Sequence, residues 1–427
     1  MNQISVIVLV LLFSSNIFAE EISPKDSEDF PTCPTCLEDR RTLLSIIWSC
    51  LATIFACTWI SIHPNVPGRN ITTRGQLACA VERMKIMITT IFAPEIIVAW
   101  AAHQFIVARK VCRKRNLTMA HGFMVSMGGF CYNSELYGSR SPLSQIAYLD
   151  FNDLYYRNLL KKVREVSAET IEDKSKGDAL SKTFSILQIF WFIAQCLARV
   201  AQNLPITLLE VTALASAGLS VITYCLWWNK PLNVKYHISL DGSDPTTFRL
   251  TPETESHFLE SVMSGIASIF AGEYMDDLEN DIGHGTFRFS PGDTDGEFTR
   301  SAILLGVGSL FGALHCVAWS FSFPSHTEMV LWRFSSLAML TGGIFAAGYP
   351  LVMVVINERG AIERWHLSRS CIQYEPMRSI SGVLFSLSIV AYIIARIILI
   401  VLTFIQLRSL PSLAFRTVQW TTYIPHI

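Results

Sequence analysis

Apolar residues in this chain gather into discrete runs of about 20, the length a helix needs to cross a roughly 30 Å hydrocarbon core. That feature constrains the fold more than any other. Backbone polar groups inside lipid must be satisfied within their own segment, and a helix does so. Composition fits: 51% of residues are apolar and 16% are charged, against about a quarter charged in soluble domains. Runs at 43–62, 183–202, 206–228, 301–323, 331–356 and 380–407 read as spans. They predict an all-α fold, a polytopic helical membrane bundle of about six transmembrane helices with amphipathic interfacial helices. A further run, 86–108, would make seven if it crosses; it carries Pro94-Glu95 at its centre.

Punctuation between the runs is clear. Two prolines in His63-Pro64-Asn65-Val66-Pro67 stop the first helix. Asn203-Leu204-Pro205 joins the next two spans as an antiparallel hairpin, and Trp227-Trp228-Asn229-Lys230-Pro231 closes it. Tryptophans and a snorkelling lysine are expected there at headgroup level. The apolar piece 122–132 is too short to cross and is expected to pack on the membrane domain. Phe258, Leu259, Val262, Met263, Ile266, Ile269 and Phe270 recur at helical spacing and predict an amphipathic helix over 257–271. Residues 1–19 read as a signal peptide, with Ile4 to Phe13 as the apolar core and Ile17-Phe18-Ala19 before the cut. Their lack of Lys or Arg leaves an uncleaved anchor as the alternative. Residues 20–42 then face the lumen or exterior.

Cytosolic loops carry excess Lys and Arg. If 86–108 crossed, the basic stretches 109–182 and 357–379 would both lie outside. If it does not, the basic region 63–182, the acidic loop 229–299 and the basic loop 357–379 all lie in the cytosol, with the tail 408–427 outside. A re-entrant or interfacial segment 86–108 is therefore expected, with seven spans as the rival. The sequons Asn70-Ile71-Thr72 and Asn116-Leu117-Thr118 would then face the cytosol unmodified.

Charged groups inside apolar runs need partners or water. Arg199 and Glu210 lie on either side of Pro205, so a tight hairpin brings them to similar depth. A structural ion pair is expected, with one wall of an intramembrane polar pathway as the alternative. Glu95 follows Pro94, where a carboxylate accepts freed backbone donors or marks a re-entrant pore loop. His315 and Arg396 are further mid-span candidates. Cys33 and Cys36 form Cys-Pro-Thr-Cys, read as a local disulfide. Gly308 and Gly312 match the GxxxG contact spacing, and Gly343 and Ala347 repeat it, for packing within the hairpin or homodimerisation.

No glycine-rich phosphate loop, His-Glu-x-x-His or Gly-x-Ser-x-Gly motif occurs. His63, His103, His121 and His284 form no metal-ligand spacing. The run from Asp276 to Asp281 lacks the glycine and terminal glutamate of a calcium loop. No enzyme, metal or cofactor is expected, and a net charge of −1 gives no reason to expect nucleic acid as a partner. The expected partners are the bilayer and cytosolic proteins docking on 63–182 and 229–299. A non-enzymatic membrane scaffold or sensor follows, in the plasma membrane or an endomembrane of the secretory pathway. The alternative is a transporter or channel using Arg199, Glu210, His315 and Arg396.

The stretches Arg41 to Pro67, Ile171 to Lys182 and Leu226 to Leu232, with Ala93-Pro94-Glu95, resemble a large family of uncharacterised multi-span membrane proteins from filamentous and mushroom-forming fungi. The resemblance runs from about residue 41 to the end of the chain. It implies a fungal membrane protein and brings no activity, substrate or catalytic residue.

Overall fold

A computed structural model describes residues 40–60, 62–66, 76–115, 117–131, 154–174, 179–232, 234, 237–240, 294–342 and 371–420. The expected signal peptide, Cys33, Cys36, the helix over 257–271, Gly343 and Ala347 lie outside them. In chain order the helices are α1 (Leu43–Phe55), α2 (Gln76–Phe92), α3 (Pro94–Arg115), α4 (Met119–Ser126), α5 (Leu154–Glu165), α6 (Ala168–Lys174), α7 (Ala179–Ala201), α8 (Leu208–Leu226), α9 (Thr294–Cys316) and α10 (Cys371–Ile405). Residues 326–342 are also helical. Among the described residues the strands are two short ones, β1 (Phe130–Cys131) and β2 (Ile238–Ser239), paired in parallel.

The stretches 183–201, 208–226 and 390–409 are each long and apolar enough to cross a bilayer, and the bent pair α2–α3 would make a fourth. Residues 43–59 and 306–320 are shorter apolar helices. α1 is lengthened by a π turn over Ala56–Ile60, where Ser220 on α8 donates to the Cys57 carbonyl at 3.4 Å. π turns leave a carbonyl poorly matched within the helix, and a neighbouring hydroxyl compensates.

The run 86–108 is two helices. Pro94 has no N–H and biases Ala93 away from helical geometry, so α2 ends at Phe92 and α3 begins with Pro94 as its first residue. The chain bends by 116° between them.

The hairpin between α7 and α8 closes on a left-handed residue, Asn203, with φ 55°. Leu204 N donates to Arg199 O (2.9 Å) and Asn203 N to Val200 O (3.0 Å), which satisfies the last carbonyls of α7. Thr207 then caps α8, exchanging hydrogen bonds with Glu210 in a capping box.

α8 is central. Leu209 and Ala213 pack with Cys50, Phe192, Cys196 and Leu407. Leu208, Ala215 and Leu219 join Ala93, Ile96, Phe311, Trp332, Tyr392 and Leu399. Gly312 sits where a Cβ would lie 2.5 Å from the Leu340 backbone nitrogen, so only glycine permits that approach. On α10 the opposite face leaves Leu387, Val390, Ile394, Ile397, Val401 and Phe404 exposed.

The basic region has its own core. Val107 and Val111 of α3 pack with Met124 and Val125 of α4, Leu160 and Val163 of α5, and Ile171 of α6. Gly122 lies against the Ala108 backbone, where a Cβ would meet its carbonyl oxygen at 2.6 Å.

Candidate functional site

Among the described residues, polar groups in and beside the apolar helices form three clusters. The first surrounds the break between α2 and α3. Ending α2 at Phe92 frees the carbonyls of its last turn. Arg396 of α10 donates from Nε (3.3 Å) and Nη2 (2.9 Å) to Ile91 O. One turn earlier on α10, the Tyr392 hydroxyl donates to Glu95 Oε1 and lies 3.4 Å from Phe92 O. Arg396 Nη1 also faces His315 Nε2 at 3.3 Å, while His315 Nδ1 lies 2.9 Å from Phe311 O. An arginine only donates and a carbonyl only accepts, so the imidazole carries its proton on Nδ1. The guanidinium rests 4.5 Å from the Phe311 ring centroid. Glu95 sits in the first turn of α3, where the helix dipole favours a carboxylate. Its Oε2 is buried without a hydrogen-bond partner. This cluster unites Glu95, His315 and Arg396, three candidates that sequence spacing could not connect.

The second cluster corrects an expectation: Arg199 and Glu210 do not pair with each other. Glu210 is held by Arg41, which donates from Nη1 to Oε1 (2.5 Å) and from Nη2 to Oε2 (3.2 Å). Its Oε2 also receives Thr207 N at 2.8 Å, because the carboxylate caps its own helix. Arg199 instead donates to the carbonyls of Pro205, Ala414 and Arg416. Arg41 completes the tie with Nε to Ala414 O (2.7 Å) and N to Phe415 O (2.7 Å). Gln202 and Gln419 exchange two further bonds. The residues before α1, the α7–α8 turn and the residues after α10 are thus fastened together.

The third cluster corrects the snorkelling lysine. Lys230 is buried, 2% exposed, and Trp227 is fully buried; Trp228 is the exposed one. Lys230 Nζ donates to His63 O (2.5 Å), Asn65 Oδ1 (3.1 Å) and Gln104 Oε1 (2.8 Å). The Trp100 and Trp227 ring centroids lie 4.5 and 4.3 Å from it, in cation–π range. Burial pushes this ammonium well below the ordinary lysine value. Gln104 Nε2 donates to Asn65 Oδ1 at 2.8 Å, so the box joins the loop after α1, the middle of α3 and the end of α8.

Sequence reasoning missed Arg41, Tyr392, Trp100 and Gln104. One of them, Tyr392, had a signal. Tyr392 and Arg396 are one turn apart on a single face. His121 takes a plain structural role, between Thr118 Oγ1 (2.7 Å) and Val166 O (2.8 Å). A cavity of about 10 Å³ lies between Cys57, Thr90, Pro94, Ser220 and Thr223, and none of Glu95, Arg199, Glu210, His315 and Arg396 lines it.

Fold and polar clusters together define a mostly helical protein compatible with membrane association, with three helices among the described residues long and apolar enough to cross a bilayer. The sequence profile of a family of unknown function, DUF8562, matches residues 11–276 and 296–427, and the chain belongs to that family. No curated protein and no solved structure matches it.

Proposed function

We propose that this chain is a non-enzymatic integral membrane protein of six spans, a scaffold or sensor that holds its large cytosolic segments on a rigid helical frame. One observation carries the proposal: Arg199, Arg396 and Lys230 each donate to backbone carbonyls of other elements. Cations bound to carbonyls fix helices in place and leave few donors for a substrate. The exposed apolar stripe of α10 supports a lipid surrounding, since water would disfavour it. The fungal resemblance fits the same reading.

Parity supports six spans. Arg41, Gln202 and Phe415 lie at one end of the bundle, joined by the second cluster. An even number of crossings must separate them. α1 and α7 supply two; a third from 86–108 would break the contact. At the other end, Gln104 meets Asn65 and Lys230 bridges Gln104 to His63, which suits a chain that returns to the side it left. A 116° bend at Ala93 suits that return.

Native cysteines test the frame. Cys50, Cys57 and Cys196 are buried and Cys225 is exposed. In detergent-purified protein a hydrophilic maleimide should leave the first three unmodified until SDS unfolds the chain. Labelling of Cys57 or Cys196 in the folded protein would overturn the closed frame and favour the transporter or channel reading. That second reading draws on the unpartnered Glu95 Oε2 beside a broken helix, with Arg199, Glu210, His315 and Arg396 as its polar groups.

A further inference from the structure

α3 has two faces beyond its midpoint. Gln104, Val107, Ala108 and Val111 are buried against the core. Ile106, Arg109, Lys110 and Arg113 share the other side at spacings of three and four, with Phe105 at its edge leaning on the core. Phe105 and Ile106 are half-buried, Lys110 is half-buried, and Arg109 and Arg113 are exposed. Along this outward face the chemistry changes from apolar to cationic within one turn, a rise of about 5 Å. The change falls just past Gln104, whose side chain belongs to the Lys230 box at the end of α8. A helix leaving a bilayer needs its outward side chains to change in this order, from acyl chains to headgroups.

The three cations form no hydrogen bond or ion pair among the described residues. The exposed carboxylates of the neighbouring helices, Glu165 on α5 and Glu169, Glu172 and Asp173 on α6, form no ion pair with it. Among the described residues the stripe's charge is therefore uncompensated.

We propose that Arg109, Lys110 and Arg113 bind anionic phospholipid headgroups in the leaflet from which α3 emerges. The inference rests on the re-entrant membrane reading above and adds a ligand class to it. Three clustered cations at headgroup depth attract phosphatidylserine or phosphatidylinositol over phosphatidylcholine. Lipid is the chosen source because the apolar half of the stripe suits acyl chains, which free phosphate lacks.

The test uses full-length protein reconstituted in nanodiscs of mixed phosphatidylserine and phosphatidylcholine. Wild type should retain phosphatidylserine preferentially after detergent extraction, read by lipid mass spectrometry. The R109Q/K110Q/R113Q variant should lose that preference, while R408Q, a single cation after α10, should leave it unchanged. Equal retention in wild type and the triple variant would overturn the inference, as would an equal loss in R408Q. Complete competition by millimolar inorganic phosphate would also overturn it, pointing to a soluble anion site. Should the triple variant not fold, R109E in the same nanodiscs must reduce retention. A chain that proves soluble without detergent would instead defeat the membrane reading itself.

Discussion

Glu210 shows how one side chain can serve two elements. It caps α8 through Thr207 and accepts a forked pair from Arg41, which stands outside α8 altogether. Removing Arg41 leaves a buried carboxylate with only its cap, so R41Q should destabilise the protein by about 3 kcal/mol. The R41Q/E210Q double variant should be less destabilised than R41Q, because no lone charge remains; denaturant midpoints in detergent check both. Thr207→Ala should cost about 1 kcal/mol, the loss of a cap alone. Lys230 gives a pH signature. Its folded value is depressed, so the unfolded chain binds more protons between that value and the ordinary one. The burial penalty is complete below that window and fades as pH rises through it. Wild-type thermal stability should therefore climb from neutral to alkaline pH more steeply than that of K230M.

Among elements, the break between α2 and α3 is fixed from outside as well as from within. Pro94 presets the first turn of α3, which contributes about 0.5–1 kcal/mol through the unfolded chain. Tyr392 and Arg396 then satisfy the carbonyls that the break frees. R396M should consequently destabilise more than P94A, by thermal midpoint. Gly312→Val should also destabilise, by about 1–3 kcal/mol, since the Leu340 backbone leaves no room for a branched side chain. Helix centres were legible in the sequence because apolar runs are local signals, but two starts were not. α9 begins at Thr294 and α10 at Cys371, inside stretches read as the loops 229–299 and 357–379, because a polar helical extension carries no apolar run. The α7–α8 turn lies where Asn203-Leu204-Pro205 put it. Partner choice was not legible, because it depends on which helices become neighbours. Arg199 and Glu210 share a depth, yet Arg199 meets carbonyls at residues 414 and 416 and Glu210 meets Arg41. Lys230 looked interfacial for the same reason: its two indoles were visible as one neighbour, Trp227, and one distant residue, Trp100.

At the scale of the molecule, three polar ties bound the helices. One fastens the two ends of the described chain to the α7–α8 turn, one holds the α2–α3 break to α9 and α10, and one closes the loop after α1 onto α3 and α8. In a bilayer such ties replace the hydrophobic drive that packs soluble helices. On the proposed membrane reading they also constrain sidedness, because residues that touch share a side. Tagging residues 116, 280 and 420 in turn, and probing each from outside intact cells, tests this most directly. A re-entrant α2–α3 and six crossings predict that the tags at 116 and 280 are protected and the tag at 420 is accessible. The reverse at all three positions would contradict the account.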